Sequence, residues 1–180
     1  MTTFKSIKIK GTVYDFAHLE PITLDVTIGQ GDKAETFRVL VNFGCHCFTT
    51  TYDAAVHTPD YRYTHGSELR AFCPERYAYS KGLPDILNGI GNKKVFFTWE
   101  NNFLHVELIV EEGQSIQYAI FFDLKRGTKG KAHVIMTVVS AYEKPELTDR
   151  LSAIKFHTLV AKTARGEKIS IPNPTTRKRK

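Results

Sequence analysis

The residues best suited to chemistry gather around one short basic link, Lys125-Arg126-Gly127-Thr128-Lys129-Gly130-Lys131, with His133 two positions beyond it. Lysine, arginine and the free amides of a glycine-containing turn are the groups that meet phosphate. Thr137, Ser140, Tyr142 and His157 follow along the chain. Cleaving RNA without a metal needs a base for the ribose 2′-hydroxyl, an acid for the leaving oxygen and cations for the charge on phosphorus. Histidine, tyrosine, lysine and arginine fill those roles. His133, His157 and Tyr142 are therefore the candidate catalytic residues, with Lys125, Arg126, Lys129 and Lys131 as nucleic-acid contacts. Alternation in extended chain puts His133 and Thr137 on one face and Ser140 and Tyr142 on the other, so Tyr142 joins His133 only through a bulge. The plain alternative is a hairpin with a solvated lysine tip.

Three further groups stand out. Cys45-His46-Cys47 on extended chain would aim both thiols to one side, a half-site that Cys73, His57 or His65 would complete. The spacing is not the usual Cys-x-x-Cys, and free cysteine is commonly buried, so no metal or other cofactor is assigned. From Leu151 onward Lys155, Lys162, Arg165, Lys168, Arg177, Lys178, Arg179 and Lys180 face a single acid, Glu167. Arg177 to Lys180 join the nucleic-acid contacts, since a polyanion gains affinity by counterion release. Tyr61, Tyr63, Tyr77 and Tyr79 alternate with arginines and would stack bases or, the favoured reading, pack central helical turns. His105 reads as a partly exposed sheet histidine.

The elements that must position these groups are mostly strands. Ile22–Phe43 reads as an antiparallel hairpin turning at Gly29-Gln30-Gly31-Asp32, because apolar residues alternate on both arms. Lys94–Val110 reads as a second hairpin turning at Glu100-Asn101-Asn102. Ile116–Leu124 and Ala132–Tyr142 form a third around the basic link, and Ile154–Val160 reads as a further strand. Ser6–Tyr14 supplies a first strand and Lys168–Ile171 a last one. Tyr52–Thr64 reads as a surface loop, Ser67–Phe72 as a helix opening, Pro74–Ser80 as a helical turn and Leu83–Ile90 as a short helix. The fold class is α+β: β-rich, a mainly antiparallel sheet of six to eight strands with a few short helices in the middle of the chain. One domain is expected over residues 1–171 and a flexible basic tail over 172–180.

The totals agree with that outline. With 42% hydrophobic and 12% aromatic residues, the 180-residue chain can build a core. A net charge of +6 suits nucleic acid, anionic lipid or an acidic protein. No apolar run reaches the ~20 residues of a membrane helix, and the first residues lack a signal-peptide core, so a cytoplasmic location with reduced thiols and no membrane partner is expected.

Asn42-Phe43-Gly44-Cys45-His46-Cys47-Phe48-Thr49, Arg70-Ala71-Phe72 and Arg76-Tyr77-Ala78-Tyr79-Ser80-Lys81-Gly82-Leu83-Pro84 resemble small bacterial proteins carried by prophages and integrating elements, some labelled growth-adaptation proteins. The likeness extends through Tyr118–Asp123 and Val139-Ser140-Ala141-Tyr142 and brings no mechanism. The C-terminal third also resembles ribonuclease toxins of the barnase and RelE-like group. That likeness implies His133 as base or acid, Lys131 as a phosphate contact, and Ser140 or Tyr142 as a substrate contact. The resulting expectation is a mobile-element, RNA-acting protein, a metal-independent endoribonuclease toxin. Its rival is a non-catalytic basic module for nucleic acid or an acidic host protein, and a third reading is a zinc-stabilised adaptor.

Overall fold

The computed structural model describes residues 3–98, 102–111, 114–128, 130–144 and 152–169. β1 (Ile7–Ile9) and β2 (Thr12–Tyr14) make a small hairpin where one strand was expected. β3 (Ile22–Ile28) and β4 (Glu35–His46) form the anticipated antiparallel pair, followed by β5 (Thr49–Thr51), β6 (Arg62–His65) and β7 (Glu68–Phe72). Then come α1 (Pro74–Ser80), α2 (Leu83–Asn88), β8 (Lys94–Phe97), β9 (Phe103–Glu111), β10 (Gln114–Arg126) and β11 (Val134–Glu143). β12 (Ala153–Lys155) and α3 (Phe156–Arg165) follow. Seven strands form the main sheet in the order β12-β8-β9-β10-β11-β4-β3, and β5-β7-β6 make a second one.

All pairings in the main sheet are antiparallel except β11 with β4, which run parallel. Phe37, Val39, Val41, Phe43 and Cys45 are the buried positions of β4, and Val134, Met136, Val138 and Ala141 those of β11. Alternation of this kind commits one face of the sheet to the core. α3 lies against β10, β3 and β4, α1 against β11 and α2 against β3.

Two expectations are corrected here. Ile154–Val160 is not a strand beyond Lys155, because Phe156, Leu159, Val160 and Thr163 recur at helical spacing and, with Ala161, are the buried residues of α3. The helix stops at Gly166, which adopts a left-handed φ of 72° and returns its amide to Thr163. Ser67–Phe72 does not open a helix. Residues 68–72 are the central strand of the small sheet, pairing with β5 and β6, and the helix begins only at Pro74. Tertiary pairing there overrides a weak local preference.

The core continues as an aromatic cluster. Phe48 is fully buried, with ring centroids of Phe4, Phe16 and Tyr63 at 5.0, 4.0 and 5.0 Å. Tyr63 and Tyr77 are therefore packing residues, Tyr77 on the helical turn α1 as expected and Tyr63 on β6 rather than on a helical turn. His105 is buried rather than partly exposed. Its Nε2 lies 3.0 Å from Glu107 and its Nδ1 3.2 Å from the carbonyl of Lys94.

Two stability predictions arise in this core. Tyr118 is wholly buried, and its hydroxyl has no hydrogen-bond partner among the described residues. Tyr118→Phe removes that desolvated group and is expected to stabilise the fold by about 1 kcal/mol in denaturant unfolding. A loss of similar size would show that the hydroxyl is satisfied. His18 lies with Nε2 2.8 Å from the Ser80 hydroxyl, and burial holds its pKa below the ordinary value, Lys81 adding to the effect and Asp15 opposing it. The folded state thus favours neutral imidazole. Its contribution is whole above the unfolded pKa of about 6.5 and declines as pH falls from there through the lower folded value. His18→Gln should flatten that part of the stability–pH curve, and an unchanged slope would refute the assignment.

Candidate nucleic-acid interface

The parallel pairing of β11 with β4 starts both strands at the same end of the sheet, and β10 finishes there. Arg38 is thereby brought beside the β10–β11 turn although 95 residues separate it from His133. The His133 amide donates to the Arg38 carbonyl at 2.8 Å, and the Arg38 amide donates to His133 Nδ1 at 2.8 Å. Gly127 closes the base of the turn by donating to the His133 carbonyl at 2.9 Å.

This pole holds a cleft of about 560 Å³ lined by Arg38, Arg126, Gly127, Lys131, His133 and Ala164 among others. Among the described residues no carboxylate lines it. Arg38 meets Asp25 only at 3.9 Å, and both side chains are mostly exposed, so the pair is worth little. Arg165, on the last turn of α3, is engaged by Glu35 and Glu167. Among the described residues no carboxylate pairs with Lys125, Arg126 or Lys131. The carboxyl end of α3 contributes partial negative charge here, which Lys162 and Arg165 in its last turn offset. The net character of the cleft is cationic.

The expected site residues divide. Arg126, Lys131 and His133 share the cleft. Lys125 is exposed beside it, on the opposite side of β10 from Arg126 by alternation. Lys129, Arg177, Lys178, Arg179 and Lys180, and the tail with them, lie outside the described residues. Tyr142 stands nine positions from His133 along β11, about 30 Å away at ~3.3 Å per residue. Its ring stacks on Phe121 at 5.5 Å, and the Arg76 guanidinium lies over it at 4.6 Å. His157 sits in the first turn of α3, with Nδ1 3.1 Å from Asn92. His133, Tyr142 and His157 do not line one cleft. The bulge between Val138 and Ser140 does not bring Tyr142 to His133, because it lies near the far end of the strand.

Arg38 is the cleft residue that the sequence did not offer, since only a long-range parallel pairing delivers it. The cysteine half-site also takes a different form. Cys47 is fully buried, directs its thiol to the Val138 carbonyl at 3.8 Å, and has its pKa pushed up to about 12 by burial. The donor atoms that gather closely are those of Cys45, His46 and Glu68, at the other end of β4.

The fold and cleft define a β-rich α+β protein with a cationic pole. No curated protein and no solved structure matches it. A family model does, over residues 6–164, and the chain belongs to the YjaZ family. Among the described residues no helix is long and apolar enough to cross a membrane.

Proposed function

We propose that this protein is a cytoplasmic, mobile-element-type RNA-binding module that holds the phosphate backbone in the Arg38–Arg126–Lys131 cleft. The observation that carries the reading is that, among the described residues, no carboxylate lines that cleft and two of its cations are unpaired. Guanidinium forks and an ammonium group at one pole suit a chain of phosphates spaced along a backbone. Cleavage draws less support than binding, because His133 stands far from Tyr142 and its Nδ1 already accepts a main-chain amide. The endoribonuclease reading thus yields to its non-catalytic rival. An amide-resolved NMR titration with a short single-stranded RNA tests the proposal. Shifts are expected at residues 37–39, 126–128, 130–134 and 164–166. Shifts confined to the Phe121–Tyr142 groove at the other end of the sheet would overturn it.

A further inference from the structure

We propose that Cys45, His46 and Glu68 form a binding site for one divalent transition-metal ion of the zinc type. One donor atom from each residue, the Cys45 sulfur, a His46 ring nitrogen and a Glu68 carboxylate oxygen, lies within 4.8 Å of the other two. His46 Nε2 and Glu68 Oε2 are already 2.9 Å apart. Ligands of a tetrahedral zinc sit about 3.3–3.8 Å from one another at ordinary bond lengths, so separations of 4.8 Å or less call for small side-chain rotations of the three residues rather than a change of backbone.

The local fold explains how neighbours in sequence come to point together. β4 ends at His46, and the chain turns immediately, with the Cys47 amide donating to the Gly44 carbonyl at 3.1 Å and the Phe48 amide to Cys45 at 3.2 Å. In that turn successive side chains no longer diverge to opposite faces as they do in a strand. Gly44 is required at its start, because a Cβ there would stand 2.9 Å from the Val139 carbonyl oxygen. Arg76 then fixes the turn by donating to the carbonyls of His46 at 3.2 Å and Thr49 at 2.8 Å, while the Thr49 hydroxyl donates to Cys45 at 2.7 Å. Glu68 arrives from β7, whose register with β5 is set by the pairs Thr49–Phe72 and Thr51–Arg70. Two ligands on a braced turn and one on a paired strand meet the requirement that a metal site be held by rigid elements.

The donor chemistry fits zinc or cobalt better than calcium or magnesium, which take oxygen ligands. Thiolate and carboxylate together balance a dication, and three protein ligands leave one coordination position for water. On binding, the Cys45 thiol gives its proton to solvent and the sulfur bonds the ion. Burial, with Glu68 beside it, pushes the Cys45 thiol above its ordinary value while Arg70 opposes that rise, so in the metal-free fold the sulfur is held as thiol. Arg70, whose Nε donates to Thr49 Oγ1 at 3.3 Å, also opposes the cation from nearby. The site lies seven residues along β4 from Arg38 and is separate from the cationic cleft.

The test is titration of the metal-stripped, reduced full chain with cobalt(II). One equivalent is expected to bind with thiolate-to-cobalt charge-transfer absorption and to be displaced by zinc. Cys45→Ser should abolish that absorption. His46→Gln and Glu68→Gln, whose side chains are largely outside the core, should each weaken cobalt at least tenfold with the circular dichroism unchanged, and Cys73→Ser should leave binding intact. Absence of thiolate absorption in the folded wild type, or absorption that survives Cys45→Ser, would overturn the proposal. Wild-type cobalt affinity in both the His46→Gln and the Glu68→Gln protein would overturn it independently of any folding defect.

Discussion

Neutralising Arg38, Arg126 and Lys131 together by glutamine is expected to weaken RNA binding by about 10²-fold at physiological salt, because each lost phosphate contact removes a factor of about 4–5 under counterion release. The three side chains suit such a test because none of them holds the fold. Arg38 contributes to the β10–β11 turn through its main-chain amide and carbonyl, which glutamine keeps. Arg126 and Lys131 are exposed and without carboxylate partners among the described residues. Unchanged unfolding with a collapsed affinity, read by fluorescence anisotropy on a labelled oligonucleotide, is the anticipated pair of results. Affinity within twofold of wild type would remove the cleft from the account.

The second large effect concerns the turn that shapes the cleft. A Cβ at Gly127 would stand 2.1 Å from the Ala132 carbonyl oxygen and 2.8 Å from its carbon. Both atoms belong to backbone, so no side-chain rotation relieves the overlap. Gly127→Ala must spread the base of the turn and stretch the Gly127–His133 hydrogen bond. A destabilisation of about 2–4 kcal/mol is expected in denaturant unfolding, in the range of severe overpacking. RNA affinity should fall as well, because His133 and Arg126 flank the distorted segment. A Gly127→Ala protein as stable as wild type would mean that the turn is loosely closed.

These effects rest on features of unequal legibility in the sequence. Local ones were plain. Alternation in residues 22–28 and 37–43 gave the first hairpin, and the Gly127–Gly130 spacing gave the cationic turn. Pro74 marked the start of α1 because it sits where a helix needs no amide donor. The apolar run Ile154–Val160 misled because strand and helix periods are hard to separate over seven residues, and only Thr163 completes the helical repeat. Ser67–Phe72 misled because its strand state depends on partners supplied by β5 and β6.

The sites divide on the same principle. Arg126, Lys131 and His133 are close in sequence and could be grouped by eye. Arg38 could not, since its approach depends on β11 joining β4 in parallel across a long connection. Likewise Glu68 reaches His46 only through pairing of the small sheet, whereas Cys45 and His46 were visible as a motif. Expecting Tyr142 near His133 failed on length: an extended strand separates its ends however its faces alternate.

The most direct test of the central claim is the salt dependence of RNA binding by the full chain, compared with the Arg38→Gln, Arg126→Gln, Lys131→Gln protein. Three phosphate contacts on single-stranded RNA should contribute about −2 to the slope of log affinity against log salt, and the triple variant should lose that share. A wild-type affinity indifferent to salt, or a slope that the triple variant retains in full, would contradict the assignment of the cationic pole as the RNA-binding surface.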